Sequence, residues 1–95
     1  MIAFKKSGEG NYEAFFQKPI TTIDRHVGYT LKKEVATIIG ANKTISLDFT
    51  KVSTIDENGL KMIEQIMNLA GKKKCHLSFK NSNPEIKKIL ETIML

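Results

Sequence analysis

Cysteine and histidine are scarce in this sequence, and their scarcity excludes several kinds of function. The single cysteine, Cys75, cannot form an internal disulfide, and its place in an alternating pattern predicts a small buried core residue. One cysteine and two histidines do not make a spaced set of metal ligands. His76 is predicted on the outer side of a strand and His26 in the first turns of a helix, both in contact with solvent. We therefore expect no metal, no cofactor and no catalytic residue.

Long apolar segments are also absent. No apolar run approaches the roughly 20 residues of a membrane-spanning helix, and residues 1–6 are not followed by the apolar region of a signal peptide. With 41% hydrophobic and 26% charged residues, the composition is typical of a soluble globular protein. We predict one small domain over residues 1–95, located in the cytoplasm and not inserted in a membrane.

Positive charge exceeds negative charge. The formal net charge is +5 and the isoelectric point about 9.4, which makes nucleic acid a partner to consider. The lysines are nevertheless spread along the chain, and no aromatic residues alternate with them on a strand. We interpret them as the solvated surfaces of helices, an interpretation that argues against nucleic-acid binding.

Apolar alternation predicts the strands. They are expected at residues 1–6, 12–16, 44–49 and 75–80. The first two form a hairpin, because Ser7-Gly8-Glu9-Gly10-Asn11 between them is a strong turn signal. Pro19 ends the second strand, since proline cannot donate a hydrogen bond to a sheet.

Apolar spacing of three and four residues predicts three helices. The first covers about residues 22–39 and is followed by Gly40, at the position where helices often end in a left-handed residue. The second covers about residues 57–70 and stops at Gly71. The third begins at Asn83-Pro84-Glu85, where Asn83 is the N-cap and Pro84 the first helical residue.

The order of these elements predicts the fold class. Strands and helices alternate, which favours a mostly parallel sheet. The strands are not continuously apolar, so one face of the sheet should stay open. We predict an α/β domain with a mostly parallel sheet of four to five strands, an N-terminal hairpin and three helices mainly on one face.

The segment that carries most information runs from Ile45 to Leu60, where a strand passes through a short loop into a helix. Asp56 is predicted as the N-cap, and Glu57 opens the first turn. Asp48, at the end of the strand, is expected to brace the loop. The positive end of a helix dipole is thereby presented at the surface, a common place for an anion or a regulatory modification.

This segment resembles the STAS domain, the family of sulfate transporters and anti-sigma factor antagonists. Its members read "LD", a short loop, "Vxx(I/M)DS(S/T)GL", an amphipathic helix, glycine, a strand and a last helix. The matching residues here are Leu47, Asp48, Val52, Ile55, Asp56, Gly59, Leu60, Gly71, Leu77, Asn83 and Leu90. The family's phosphorylated serine or threonine follows the loop aspartate, and that position is Glu57 in this chain.

The resemblance implies a protein-protein contact at the loop. The implied partner-binding residues are Ser53, Thr54, Asp56, Glu57, Asn58, Gly59 and Met62. Met62 is predicted to lie off the buried stripe of its helix. Because Glu57 cannot accept a phosphoryl group, the resemblance implies a contact that serine phosphorylation does not switch. Glu57 either imitates the phosphorylated state or only favours the helix dipole.

Three hypotheses remain open at this stage. The first is a protein-binding module resembling an anti-sigma factor antagonist, whose partner would be an anti-sigma-type kinase. The second is a non-switching STAS subunit of a transport or lipid-trafficking assembly, whose partner would be a transporter component. The third, from a different class, is a small basic nucleic-acid-binding domain.

Overall fold

A computed structural model of the chain describes residues 2–93. Within them lie six strands and three helices. In chain order these are β1 (Ile2–Gly8), β2 (Asn11–Phe16), β3 (Ile20–Ile23), α1 (Arg25–Ala36), β4 (Thr44–Asp48), β5 (Val52–Ile55), α2 (Glu57–Lys72), β6 (His76–Lys80) and α3 (Pro84–Glu91). Residue 1, where we predicted the first strand to begin, lies outside the described residues.

The main sheet has four strands in the order β1-β2-β4-β6. β1 and β2 form the predicted antiparallel hairpin, whereas β4 pairs with both β2 and β6 in parallel. The predicted mixed, mostly parallel sheet with an N-terminal hairpin is therefore confirmed. Its central strand β4 buries Ile45 and Leu47, and Phe49 just after the strand is also buried.

A second, two-stranded sheet was not predicted. β3 and β5 pair in parallel, with Ile20 beside Val52 and Ile23 beside Ile55. The prediction was wrong at Thr22, placed at the start of the first helix, and at Ser53 and Thr54, placed in a loop. The physical reason is that four-residue strands are stabilised by the partner strand, here about thirty residues away in the chain, more than by local preference.

All three helices contribute to one buried core. Apolar side chains from each helix join one buried cluster with those of the sheet. The helical members are Leu31, Val35, Ile63, Ile66, Ala70, Ile86 and Leu90. This agrees with the predicted apolar stripes and with the predicted burial of Cys75, which lies just before β6. Burial of each large aliphatic side chain contributes about 1.5–3 kcal/mol to folding.

The side of the main sheet opposite this core is polar along β4 and β6, whereas β2 adds the half-buried Phe15 to it. Ser46 and Ser78 face each other on β4 and β6, with their hydroxyl oxygens 3.2 Å apart. The Lys80 ammonium on β6 donates to the carboxylate of Glu13 on β2. Along each strand these polar residues alternate with the apolar residues of the covered face, because successive side chains of a strand point to opposite sides.

The helix ends differ from the predicted ones. α1 starts at Arg25 with Asp24 as N-cap, and it ends at Ala36, four residues before Gly40. α2 continues through Gly71 to Lys72. The left-handed residue after α2 is Lys74, with φ 56°. Its N–H donates to the carbonyl of Gly71 and the N–H of Cys75 to that of Ala70, the hydrogen-bond pattern of a Schellman motif. Gly71 was misplaced because glycine also occurs inside helices, whereas Gly40 lies beyond the end of α1.

Between residues 2 and 93, none of the helices is both long enough and apolar enough to span a bilayer.

Candidate functional site

Two neighbouring strands lead into two neighbouring helices, and this junction holds the predicted site. The end of β3 and the next residue read Thr22-Ile23-Asp24, and the end of β5 and the next residue read Thr54-Ile55-Asp56. The strands are parallel and in register, with Thr22 beside Thr54 and Ile23 beside Ile55. The starts of α1 and α2 are therefore side by side. The repeated Thr-Ile-Asp is a sequence signal for this arrangement that we overlooked.

The two aspartates cap the two helices in the same way. Asp24 Oδ1 accepts a hydrogen bond of 2.9 Å from the N–H of Val27, and Asp56 Oδ1 accepts one of 2.8 Å from the N–H of Gly59. Each cap satisfies an N–H that would otherwise lack a partner in the first turn. Asp56 is thus the N-cap that the sequence predicted. Both side chains are committed to their own helices.

Gly59 allows α2 to start against the end of β3. Gly59 is buried, and a β-carbon built on it would overlap the carbonyl oxygen of Ile23. The same carbonyl accepts a hydrogen bond of 3.1 Å from the N–H of Asp56. A side chain at position 59 would force the helix away from this carbonyl. Among the predicted partner-binding residues, Gly59 therefore acts by permitting close packing.

Met62 packs toward α1. It is half-buried, whereas we expected it to be exposed. A β-carbon built on Gly28 of α1 would lie 2.7 Å from the β-carbon of Met62, so the two helices approach closely here. The lack of a side chain at Gly28 is what admits Met62 into the helix interface.

Glu57 and Asn58 are the exposed residues of the first turn of α2. The side chain of Glu57 is 86% exposed, and its carboxylate lies 4.0 Å from the ammonium of Lys61 one turn later. Such an exposed pair contributes only about 0.3–0.5 kcal/mol to stability. Glu57 is thus exposed to solvent at the start of α2 and carries a carboxylate.

The backbone of Ser53 and the side chain of Thr54 contact the start of α3. The Thr54 hydroxyl donates to the carboxylate of Glu85 in α3 at 3.2 Å. Asn83, the N-cap of α3, donates through its side-chain amide to the carbonyl oxygen of Ser53 at 2.9 Å. The predicted site residues therefore contact two different helices. Those in β5 are hydrogen-bonded to α3, and Met62 packs on α1.

Asp48 braces the turn between β4 and β5, as the sequence predicted. Its carboxylate accepts hydrogen bonds from the N–H and hydroxyl of Thr50, at 2.8 and 2.5 Å, and from the amide of Asn81 at 3.3 Å. Partial burial would by itself raise the pKa of Asp48, but the hydrogen bonds from Thr50 and Asn81 and the charge of Lys80 outweigh it and lower the pKa.

The sequence prediction missed the contribution of α1 to this surface. Asp24, Arg25, His26, Tyr29 and Met62 line a shallow groove between the first turns of α1 and α2. Tyr29 is 57% exposed, and of the large hydrophobic residues in positions 2–93 it and Phe4 alone are exposed. Tyr29 lies outside the apolar stripe of α1, and this position in the sequence pattern could have indicated that its side chain is exposed. Within the same residues, histidine, cysteine and carboxylate side chains form no group able to hold a metal ion.

Solved structures with the same fold include a regulator in two forms. The unphosphorylated anti-sigma factor antagonist SpoIIAA superposes with a TM-score of 0.71 at 17% identity, covering 96% of this chain and 82% of that one. The phosphorylated form of SpoIIAA, a Bacillus cell fate determinant, gives 0.69 at 17% identity, covering 97% and 82%. These identities are low, so the likeness establishes the fold.

A transporter contains the same fold as one part of a much longer chain. The murine anion transporter Solute Carrier 26 family member A9 superposes with a TM-score of 0.70 at 16% identity, over 87% of this chain and 14% of that one. Curated protein sequences give no significant match.

Sequence comparison with protein families gives a direct assignment. The STAS domain matches residues 13–95, from β2 through the two capped helices and α3 to the end of the chain. This range includes every residue of the strand-to-helix junction described above. The chain belongs to the STAS domain family.

Proposed function

We propose that this chain is a protein-binding regulatory module that contacts its partner through the surface at the starts of α1 and α2, and that serine phosphorylation does not switch it. By its likeness to an anti-sigma factor antagonist, the partner would be a cytoplasmic anti-sigma-type kinase or a related regulator. The partner-contacting residues would be Glu57, Asn58 and Met62, together with Tyr29 of α1.

Glu57 is the observation that carries this proposal. It follows the N-cap Asp56 at the positive end of α2, and its side chain is 86% exposed. SpoIIAA has been solved both with and without its phosphate, whereas a glutamate has no hydroxyl to accept a phosphoryl group. Its single charge is also smaller than the charge of about −1.5 to −2 on a phosphoserine.

The groove between the helices supports a protein partner. Tyr29 is exposed beside the half-buried Met62, and Arg25 and His26 lie at the rim. Tyrosine, methionine and arginine are enriched at protein interfaces, and an exposed aromatic residue beside a pocket is a common anchor. The charged Glu57 would then orient the partner.

The experiment has two stages. The whole chain is used to capture partners from its own cells, and mass spectrometry identifies them. The purified partner is then titrated with Glu57→Lys and Tyr29→Ala. Each should weaken binding at least about tenfold, because each changes a group at the centre of the proposed interface. Glu57→Lys should lower the free energy of unfolding by about 1 kcal/mol or less.

Lys87→Glu and Lys88→Glu are the matched controls, since both lysines are exposed on α3 and outside the proposed interface. They should leave the affinity nearly unchanged. If the α3 variants weaken binding more than Glu57→Lys and Tyr29→Ala, the interface is elsewhere and the proposal fails. Glu57→Gln tests whether a partner recognises the negative charge of Glu57 or whether this charge only favours the helix dipole. The variant should change the affinity only if the charge itself is recognised.

A second candidate is a non-switching STAS subunit of a transport or lipid-trafficking assembly. The observation that favours it is again Glu57, since a subunit with a permanent contact needs no phosphoryl acceptor. A transporter also contains this fold. The identity of the captured partner distinguishes the candidates, because a membrane-transport component would support the second and an anti-sigma-type kinase the first.

The same proposal includes no catalytic role for this chain. His26 and His76 are exposed on separate elements, at the start of α1 and in β6, and Cys75 is buried. A nucleophile and a base must lie within hydrogen-bonding reach of each other. The test is to compare hydrolysis of ATP, acyl esters and phosphoryl esters by the purified chain and by a Glu57→Lys, Cys75→Ala variant. A higher rate for the unaltered chain would contradict the absence of a catalytic role.

A further inference from the structure

Exposed lysines gather at the far end of α2. Lys72 is the last residue of the helix, Lys73 its C-cap and Lys74 the next residue, and all three are exposed. α2 has 16 residues, so this end lies about 24 Å from Glu57 at the helix start. It is therefore separate from the surface proposed above for a protein partner.

Lys43 joins these three lysines through the backbone. The N–H of Asn42 donates to the carbonyl of Lys74 at 3.3 Å, and the N–H of His76 donates to the carbonyl of Lys43 at 2.8 Å. The segment before β4 thus runs beside the segment before β6. We call Lys43, Lys72, Lys73 and Lys74 the lysine end of the domain.

Lys32 extends the positive charge toward α1. A shallow groove between α1 and α2 is lined by Lys32, Gln65, Asn68, Leu69 and Lys72. The ammonium of Lys32 donates to the side-chain oxygen of Gln65 at 2.7 Å, so its charge is not paired with a carboxylate.

Lys74 occupies the left-handed position of the Schellman motif that ends α2, where glycine is the more usual residue. Its φ of 56° lies in the left-handed region, where a residue with a β-carbon is less stable than glycine by roughly 1–2 kcal/mol. The cap requires the left-handed backbone and not the lysine side chain, since glycine would adopt this conformation at lower cost.

Few carboxylates oppose the lysine end. Glu9 lies in the turn beside Gly10, whose carbonyl accepts from Thr44, and Glu34 lies in the last turn of α1. Two ion pairs occur among residues 2–93, Glu57 with Lys61 and Glu13 with Lys80, and neither involves this surface. The ammonium groups of the exposed Lys72, Lys73 and Lys74 are therefore available to an anionic partner.

We propose that the lysine end binds the anionic headgroups of a lipid membrane. A cluster of exposed lysines on long flexible stems can contact a surface of mobile phosphates, and each lysine near such a surface contributes to binding. Nucleic acid is less well matched. The one arginine of the chain, Arg25, and the exposed Tyr29 lie at the start of α1, at the other end.

The aromatic ring nearest to the lysines is also occupied. The ammonium of Lys43 lies 5.6 Å from the ring centre of Tyr12, so this ring is covered by a cation of the same chain. Single-stranded nucleic acid needs exposed rings for its bases to stack on, and base readout in duplex DNA commonly uses arginine.

The test is co-sedimentation of the whole chain with vesicles at low ionic strength. One set contains phosphatidylglycerol and phosphatidylcholine in roughly equal amounts, which gives an anionic surface, and the other contains phosphatidylcholine alone. The chain should bind the first and not the second. Lys72→Gln/Lys73→Gln/Lys74→Gln should weaken binding on the order of 100-fold, since each lysine contributes about fivefold.

A matched variant, Lys18→Gln/Lys87→Gln/Lys88→Gln, removes three exposed lysines elsewhere and should weaken binding less than about fivefold, because distant charges are screened. Equal losses in the two triple variants would overturn the proposal, as would equal binding to both kinds of vesicle. Tighter binding to a DNA duplex than to anionic vesicles would also overturn it.

Circular dichroism checks that the variants are folded. If the first triple variant unfolds, Lys72→Gln/Lys73→Gln replaces it, with an expected loss of vesicle affinity of about 25-fold.

Discussion

Gly59 packs directly on the carbonyl oxygen of Ile23, leaving no space for a β-carbon. This contact fixes the start of α2 against the end of β3. We expect Gly59→Ala to lower the free energy of unfolding by about 3 kcal/mol or more, because the methyl group collides with backbone that cannot rotate away. Urea unfolding followed by circular dichroism measures the change.

Gly71→Ala is the control for this prediction. Gly71 lies inside α2, and a β-carbon there would meet no atom within 4 Å. Alanine should therefore raise the free energy of unfolding by about 0.5–1 kcal/mol, as expected for a helix interior. Similar effects of the two substitutions would show that α2 does not begin against β3 as described.

The two helix caps should contribute equally. Asp24→Ala and Asp56→Ala should each lower the free energy of unfolding by about 0.5–2 kcal/mol, since each leaves one N–H of the first turn without its acceptor. The asparagine variants test the cause, because asparagine caps helices about as well as aspartate does. A loss with asparagine as large as that with alanine would mean that charge, and not the hydrogen bond, is responsible.

Glycine at position 74 should stabilise the protein. Lys74 has φ 56°, and glycine adopts this conformation without the penalty of a β-carbon. We expect Lys74→Gly to raise the free energy of unfolding by about 1 kcal/mol. Lys73→Gly is the matched control, because Lys73 has φ −91°, and it should bring no gain. Equal changes would argue against the left-handed turn.

The sequence predicted the main sheet and the helices better than the small sheet. The apolar stripes of α2 and α3 and the alternation of β4 reflect burial against one core, which leaves a local pattern in the sequence. β3 and β5 are four residues long, and Thr22 fitted the adjoining helix as well as a strand. Pairing with a distant strand decided their conformation, and single segments do not reveal it.

The candidate site was predicted in the same partial way. Asp56, Glu57 and Asn58 could be placed because a cap and a first turn are local features. The groove at Tyr29 depends on how α1 crosses α2, and that depends on Gly28 facing Met62. Neither helix shows this by itself, so the contribution of α1 was missed.

Phosphorylation should leave the protein unchanged. Incubation with ATP and a serine kinase that acts on STAS domains should not alter the mass, because position 57 has no hydroxyl. Ser53 and Thr54 lie in β5, with the Thr54 hydroxyl on Glu85. Glu57→Ser should gain one phosphate if the junction otherwise fits such a kinase. A stoichiometric phosphate on Ser53 or Thr54 of the unaltered chain, detected by mass spectrometry, would contradict the prediction.

Acid should remove the stabilisation that Asp48 provides. Its pKa in the folded protein is below the ordinary value of 3.8, so the unfolded chain binds a proton more readily than the folded protein does. The contribution of ionised Asp48 to the free energy of unfolding is therefore fully present above about pH 4. It is lost as the pH falls through the lowered pKa. Asp48→Asn should therefore lower the free energy of unfolding by about 1 kcal/mol at neutral pH and by less near pH 3. An equal difference at both pH values would contradict this.

The polar face of the main sheet limits how the domain can be assembled. Ser46 with Ser78, and Glu13 with Lys80, occupy the centre of this face. An apolar surface laid over them would remove water from a charged pair without replacing its hydrogen bonds, which is unfavourable. Any neighbour that stacks here, whether a second copy or another part of a larger assembly, must therefore bring its own donors and acceptors. The centre of this face is therefore unsuited to purely apolar contacts, and a partner there would have to be selected by its hydrogen-bonding groups.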